Sequence, residues 1–396
     1  MAAPEGFTRV MKVAVNARML LADRLEGIGW YTHQLMSRIA PAHPEHEFLF
    51  LFDRPYHPRF VFADNVKPLV LAPPARHPLL WYLWFEHSVR RALARHGADV
   101  FFSPDGFLSL QAVAPTVLTV HDLAFERFRG QLGPLQGLYC RRFTPAFVHR
   151  ARRVVTSSEF SKRELIDCYG TDASKVEVIP CAAGAAFRPR SVQETQPLVD
   201  SLTGGAPFFL HVGAIHPRKN VTNLLRGFDR FKTETECSTK LLLSGRLAWM
   251  YRDVLRAHAA MRHRDDVIFL GYRSLDDLAL LTASAVAVVC VSLYEGFGLP
   301  LVEAMAADCA VICSRQTALA EVAGGAALLV DPLDPDTIAG AMRQLSSAPR
   351  LRDRLIRLGR QRVRHFDWDQ SAARLWHVLE SVAGQRTPPA DSSYTS

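Results

Sequence analysis

Two doubly wound α/β units in series are predicted for this chain by three observations. Short runs of β-branched and aromatic residues alternate with amphipathic stretches of helical length, the rhythm of βαβ units and a parallel sheet. The alternation runs twice, broken between Pro189 and Pro207 by a stretch rich in Ser, Thr, Gln, Gly and Pro that reads as a linker. The length, 396 residues, suits two domains.

The first unit is expected over residues 1–188. Strands are predicted at 12–16, 48–52, 100–103, 115–120, 153–157 and 176–179, with helices at 29–39, 81–96 and 161–169. The second unit is expected over 206–364. Its strands are predicted at 208–212, 240–244, 267–270, 286–291, 310–313 and 327–330, and its helices at 221–231, 250–261, 275–283, 300–307 and 336–346. Asp367-Trp-Asp-Gln370 has capping-box spacing, so a last helix is expected within 365–384, packing back on the first domain, before a disordered tail over 385–396. In such sheets a ligand is expected between the units, outside the carboxyl ends of the strands.

A hydrophobic content of 48% with 22% charged residues describes a globular chain with ample core. The net charge of +8 suits an anionic small molecule, an anionic membrane surface or nucleic acid, but no nucleic-acid module is present. The seven cysteines are odd in number and contain no Cys-x-x-Cys pair; Cys290, Cys309 and Cys313 lie in apolar runs and read as core thiols. A reduced, cytoplasmic compartment is expected, and Met1 to Val10 shows no signal-type apolar stretch. The uncharged run from Leu278 to Tyr294 splits into a helix end and a strand rather than a membrane span.

Two segments carry the chemistry. Glu295-Gly-Phe-Gly-Leu-Pro-Leu-Val-Glu303 reads as a strand exit, a glycine turn and a helix opened by Pro300. Free N–H groups at that helix start suit a phosphate or hydroxyl-rich ligand, and the flanking carboxylates can bond sugar hydroxyls. In the second segment, His211-Val-Gly213 ends a strand and Pro217-Arg-Lys-Asn220 leads into a helix. Gly213 permits a tight turn near a ligand, and Arg218 and Lys219 beside a helix N-terminus can neutralise a diphosphate. In the first unit His121-Asp122 ends a strand, and Gly27-Ile-Gly29 on its own residues reads as a glycine-capped helix start. Ser158 and Glu159 read best as an N-cap. Trp81-Tyr-Leu-Trp-Phe85, flanked by Arg76, Arg90 and Arg91, could touch a membrane, but a core-facing helix with a basic exposed side is the better reading; Arg141-Arg142 is read with the same caution.

These segments, with Ser157-Ser-Glu-Phe-Ser161, Val178-Ile-Pro180, Ser244-Gly245 and Phe269-Leu-Gly-Tyr272, resemble in order the retaining glycosyltransferases of family 4, over about residues 10–380. The resemblance implies the GT-B fold, two Rossmann-like doubly wound domains facing across a cleft, with the nucleotide-sugar donor held mainly by the second. It implies Glu303 on the nucleotide ribose, and Glu295, Gly296 and the backbone of Phe297, Gly298 and Leu299 on the transferred sugar. Lys219 and Arg218 would stabilise the leaving diphosphate, Gly27, Gly29 and Gly213 would approach it, and Ser244, Tyr272 and Arg273 would lie near the base. His121 would lie near the transferred sugar, so the implied catalytic residues are His121, Lys219 and Glu295. Ala214 stands where many members carry an arginine, which leaves Arg218 to supply that charge.

The expected function is therefore transfer of a sugar, mannose from GDP-mannose first, to a hydroxyl of a polysaccharide or lipid-linked intermediate, with no metal and no cofactor beyond the nucleotide-sugar co-substrate. A peripheral position at the inner face of the membrane is compatible with this. The alternatives are a two-domain sugar phosphorylase or nucleotide-sugar epimerase, and a non-catalytic nucleotide-sugar-binding protein. A nicotinamide oxidoreductase is disfavoured because Thr32 occupies the third glycine position and the loop from Asn16 to Gly27 is long. Asp334-Pro-Asp336 and Asp367-Trp-Asp369 have Asp-x-Asp spacing but sit at helix starts, where Asp caps.

Overall fold

The structure, a computed structural model, describes residues 10–22, 25, 27–130, 132–383 and 385. The expected disordered tail lies outside the described residues, apart from Gln385. Two compact units are present. One holds the chain to Ser157, Lys162–Ile179 and the chain from Trp368 onward; the other holds Ser158–Ser161 and Pro180–Asp367.

The first unit runs β1 (Lys12–Asn16), α1 (Ile28–Ala42), β2 (Glu47–Phe52), β3 (Val66–Val70), α2 (Pro78–Leu83), a π-helical stretch (Trp84–Val89), α3 (Arg90–His96), β4 (Val100–Ser103), β5 (Thr116–Thr119), α4 (Ala124–Arg127), α5 (Pro134–Arg150), β6 (Arg153–Thr156), α6 (Glu159–Tyr169) and β7 (Val176–Val178). Its seven strands lie in the order β3-β2-β1-β4-β5-β6-β7, and every pairing is parallel. Strand order reverses between β1 and β4, which makes that gap the topological switch point. β3 departs from the sequence reading because Pro68 interrupts its pattern. Proline removes a ladder donor, and β3 tolerates it as the edge strand. α5 was likewise not foreseen, since Pro145 lies inside it.

The second unit runs α7 (Val192–Thr203), β8 (Phe208–Val212), α8 (Val221–Thr235), β9 (Lys240–Ser244), α9 (Arg252–Ala259), β10 (Val267–Gly271), α10 (Leu275–Ser284), β11 (Ala287–Cys290), α11 (Leu299–Ala306), β12 (Ala310–Ser314), α12 (Thr317–Ala323), β13 (Leu328–Val330), α13 (Pro335–Ser347) and α14 (Pro349–Val363). Its parallel sheet has the order β10-β9-β8-β11-β12-β13, so the switch point falls between β8 and β11. Cys290, Cys309 and Cys313 are buried in this unit. The uncharged run near residue 285 divides into α10 and β11, and no described helix is long and apolar enough to cross a membrane.

The expected linker is corrected by α7. Ser191 accepts from the Glu194 amide while Glu194 accepts from the Ser191 amide at 2.9 Å, a complete capping box. Gly204, at φ 66°, ends the helix in the left-handed conformation that glycine favours. The polar composition and Pro197 concealed a helix whose buried face is only Thr195, Val199 and Thr203.

α15 (Trp368–Val382) belongs to the first unit and packs on α1. The Trp376 ring stacks on His43 at 3.8 Å between centroids and lies 6.1 Å from Phe48. Trp376→Ala is expected to destabilise the chain by about 3–5 kcal/mol, the usual range for deleting a buried aromatic. Equilibrium urea denaturation checks this; a change inside about 0.5 kcal/mol, as at an exposed site, would show that the helix does not need the ring.

Candidate active site

The two segments singled out in the sequence leave adjacent strands at the second unit's switch point. β8 runs into Gly213, and β11 runs through Ser292 toward Glu295. The strand exits are laced by backbone bonds: the Gly213 amide donates to the Ser244 carbonyl at 2.9 Å, and the Gly245 amide to the Gly271 carbonyl at 2.8 Å. Gly213 adopts φ 140°, and a Cβ there would meet Lys219 Cε at 3.2 Å. Its missing side chain is the space through which the lysine stem passes.

A single 3₁₀ turn, Pro217–Lys219, presents both cations. The Leu293 amide donates to the Arg218 carbonyl at 2.8 Å, which fixes that turn beside the chain leaving β11. Asn220 completes the arrangement. It takes φ 57°, which asparagine tolerates better than most residues, and its side-chain amide donates to the Val291 and Pro332 carbonyls at 3.0 and 2.6 Å.

Glu295 receives both cations. Lys219 Nζ donates to its Oε1 at 2.6 Å and Arg218 Nη1 to its Oε2 at 2.9 Å; Arg218 also donates to the Tyr294 carbonyl at 2.7 Å. Burial alone would raise this carboxyl's pKa, but Lys219, Arg218 and a bond from Ser292 outweigh it and hold the group at about 2. The cluster carries two positive charges and one negative, so its surplus is positive. Burial with the nearby Lys219 lowers His211 to about 4, and burial with Arg218 and Lys219 lowers His216 to about 3. Both histidines are therefore neutral near pH 7, and the positive charge resides on Arg218 and Lys219.

α11 begins at Leu299 behind Gly298, which has φ 104°. The amides of Phe297, Gly298 and Leu299 have no acceptor among the described residues, as at any helix start without a side-chain cap. The Gly296 carbonyl is instead occupied, accepting from Ser158 Oγ at 2.7 Å and Ser161 Oγ at 3.1 Å. Ser158 also accepts from the Ser161 amide at 3.0 Å, so the N-cap reading holds alongside this tie.

Glu303 lies in the second turn of α11, because the helix opens at Leu299, one residue before Pro300. It is partly buried, and among the described residues nothing donates to its carboxylate or pairs with it. Burial pushes its pKa up to about 8. The motif thus joins one carboxylate held charged by two cations to another left without a partner.

The remaining expected residues are scattered more widely. Ser244 is buried at the end of β9, Tyr272 is exposed after β10, and Arg273 lies 4.0 Å from Asp277. His121, in the first unit, bonds the Pro104 carbonyl through Nε2 at 2.8 Å and meets Tyr31 edge-on at 4.9 Å. Since a carbonyl only accepts, Nε2 carries the proton; burial lowers the ring's pKa, so the neutral form is favoured. Gly27 precedes α1 at φ 44°, and a Cβ on Gly29 would collide with the Met19 carbonyl. Close packing of the loop after β1 accounts for Gly29 by itself.

Sequence reasoning missed a polar cluster at the first unit's own switch point. Arg18 Nε bonds Asp105, its Nη1 donates to the Ala75 carbonyl at 3.2 Å, and Asn16 donates to Ser103 Oγ at 3.1 Å. The signal was available in polar residues directly after β1 and β4. Among the described residues no group of three His, Cys, Asp or Glu is placed to hold a metal ion. Asp334 caps α13 by accepting from the Asp336 amide at 2.9 Å, and Asp369 pairs with Arg38 at 2.6 Å.

Two family models match, Glycosyltransferase Family 4 over residues 25–183 and Glycosyl transferases group 1 over residues 193–362. The chain is 29% identical to O-antigen chain mannosyltransferase B of Escherichia coli, across 87% of this chain and 93% of that one. It is 26% identical to O-antigen chain mannosyltransferase RfbU of Salmonella typhimurium, across 74% and 76%. Among solved structures, that of Anabaena Alr3699/HepE in complex with UDP-glucose superposes with a TM-score of 0.71 at 17% identity, across 94% of this chain and all of that one (100%).

Proposed function

The chain belongs to glycosyltransferase family 4 and has the GT-B fold, and we propose that it transfers mannose from GDP-mannose to a hydroxyl of a lipid-linked saccharide, with retention at the anomeric carbon and without a metal. The observation that carries this reading is the second unit's switch point: a cationic pair fixed by Glu295 and, among the described residues, three free amides at the start of α11 and an unpartnered Glu303. That set matches the charge and polarity of a nucleoside diphosphate sugar. The mannose assignment draws on the mannosyltransferase relatives, and GDP is proposed with it.

In the proposed reaction the bond between the anomeric carbon and the diphosphate oxygen breaks, and its electron pair stays with that oxygen. The acceptor hydroxyl adds to the same face of an oxocarbenium-like sugar and passes its proton to the departing diphosphate. Lys219 and Arg218 stabilise the charge that develops there, where such a contribution has most effect on rate. Glu295 and the amides of residues 297–299 hold the sugar, Glu303 holds the ribose hydroxyls, and Ser244, Tyr272 and Arg273 border the base. His121 assists on the acceptor side, and the protein works peripherally on the cytoplasmic face of a membrane.

A panel of GDP-mannose, UDP-glucose and UDP-N-acetylglucosamine, read by thermal shift and by donor hydrolysis with and without EDTA, tests this. GDP-mannose is expected to stabilise the fold by about 2.7 kcal/mol at a hundredfold excess over its Kd, and EDTA to leave turnover unchanged. Stabilisation by UDP-sugars alone would reject the donor, and loss of turnover in EDTA would reject the metal-free reaction.

A further inference from the structure

The first unit carries a surface that the donor chemistry does not use. Leu79, Tyr82 and Leu83 of α2 are 66%, 40% and 41% exposed, and Leu135 and Leu138 of α5 are 45% and 60% exposed. Their spacing places each set along one stripe of its helix, with exposed Arg142 continuing the α5 stripe. The helices are neighbours: Trp81 meets Tyr139 at 5.6 Å and Tyr82 meets Phe143 at 6.3 Å between ring centroids. The apolar sequence Trp81-Tyr-Leu-Trp-Phe85 is therefore divided. Trp84 and Phe85 enter the core, and Tyr82 and Leu83 face out beside Leu79.

Along these two segments the exposed charge has one sign. Residues 76–97 contain Arg76, Arg90, Arg91 and Arg95, and their one acid is Glu86. Glu86 is buried, and its carboxylate accepts from Ser109 Oγ at 2.7 Å and the Leu110 amide at 2.8 Å. Residues 129–150 contain Arg129, Arg141, Arg142 and Arg150 and no acid. Arg150 turns inward to the Leu110 and Ala112 carbonyls. Arg76, Arg91, Arg95, Arg129 and Arg142 remain exposed.

We propose that this α2/α5 face docks on an anionic phospholipid bilayer, with Leu79, Tyr82, Leu83, Leu135 and Leu138 entering the interface and the arginines meeting the headgroups. Exposed aliphatic residues inside a basic rim are the pattern of interfacial binding. A second copy of the chain fits poorly, because a twofold contact would set the arginine rim against itself. The docking deepens the proposed peripheral action on a lipid-linked acceptor and rests on that reading.

The test is flotation of the full chain with vesicles of phosphatidylcholine alone or with one part in three phosphatidylglycerol, at about 0.1 M salt, where surface charges still act. Binding to the anionic vesicles is expected, with little to the neutral ones. Leu79→Ser/Leu83→Ser/Leu138→Ser should weaken it at least tenfold. Arg76→Gln/Arg142→Gln should weaken it about fivefold per arginine and flatten its salt dependence. Donor hydrolysis should stay unchanged in both variants, so its failure in the wild type would count against the catalytic reading alone. Equal binding to both vesicle types, no binding, unchanged binding in both variants, or dimerisation through this face in lipid-free solution would overturn the proposal. So would loss of binding from Arg354→Gln/Arg357→Gln on α14, which carries its own exposed arginines.

Discussion

Lys219→Ala is expected to slow turnover by about 10²–10³-fold, the range for removing one preorganised charge partner from a developing anion, with the fold retained. The turn that carries it is fixed by backbone and by Asn220, not by the lysine head. Glu295 would keep Arg218 as a partner, so the loss of stability should stay near 1 kcal/mol. Glu295→Gln should also remove most turnover, but the two substitutions should move product affinity in opposite directions. Loss of Lys219 removes positive charge from the proposed diphosphate site, and GDP should bind about tenfold more weakly. Loss of the Glu295 charge leaves both cations without their anion, and GDP should bind about tenfold more tightly, since charges this near couple by a kcal/mol or more even at high effective dielectric. Titration calorimetry with GDP decides it. Weaker binding in both variants, or near-normal turnover in either, would refute the assigned electrostatic roles.

The site was more legible in the sequence than its surroundings, for physical reasons. Buried parallel strands such as β8, β9 and β12 are continuous apolar runs, and the strand-exit residues Gly213 and Glu295 announce themselves by contrast. Elements that bury little were missed. α7 has a thin buried face and an internal proline, and α14 buries only Leu355 and Gly359. β3 is an edge strand with a proline. At the site itself, chemistry was visible but pairing was not. Strand-end position could place Arg218, Lys219 and Glu295 in one unit's loops, yet nothing in their spacing required both cations to close on one carboxylate. That closure depends on the Leu293–Arg218 backbone bond and the Asn220 ties, contacts between segments more than 70 residues apart. Ser158 shows the same limit. Its capping role was readable locally, and its bond to the Gly296 carbonyl spans 138 residues.

The two glutamates of the motif should also divide the pH dependence of the protein between them. Glu295, held at about 2, has a folded pKa below its usual value of 4.5, so its contribution to stability is present above that value and is lost as pH falls toward 2. Glu303 runs the other way. Burial raises it from 4.5 to about 8, so the folded state holds this proton more tightly than the unfolded chain, and stability declines as pH rises through that interval. If the carboxylate form of Glu303 accepts the ribose hydroxyls, donor binding must first remove the proton. Affinity for GDP-mannose should then fall about tenfold for each pH unit below 8 and level off above it. Binding near pH 7 should release a proton, seen as a dependence of the calorimetric enthalpy on the buffer's ionisation heat. Glu303→Gln keeps the shape and removes the titration. It should flatten both pH profiles, bind donor more weakly than the wild type at pH 9, and raise the melting temperature of the ligand-free protein there, because no buried carboxylate is left to ionise. A wild-type affinity independent of pH between 6 and 9, or one whose pH dependence survives in Glu303→Gln, would place the nucleotide's recognition on some other group.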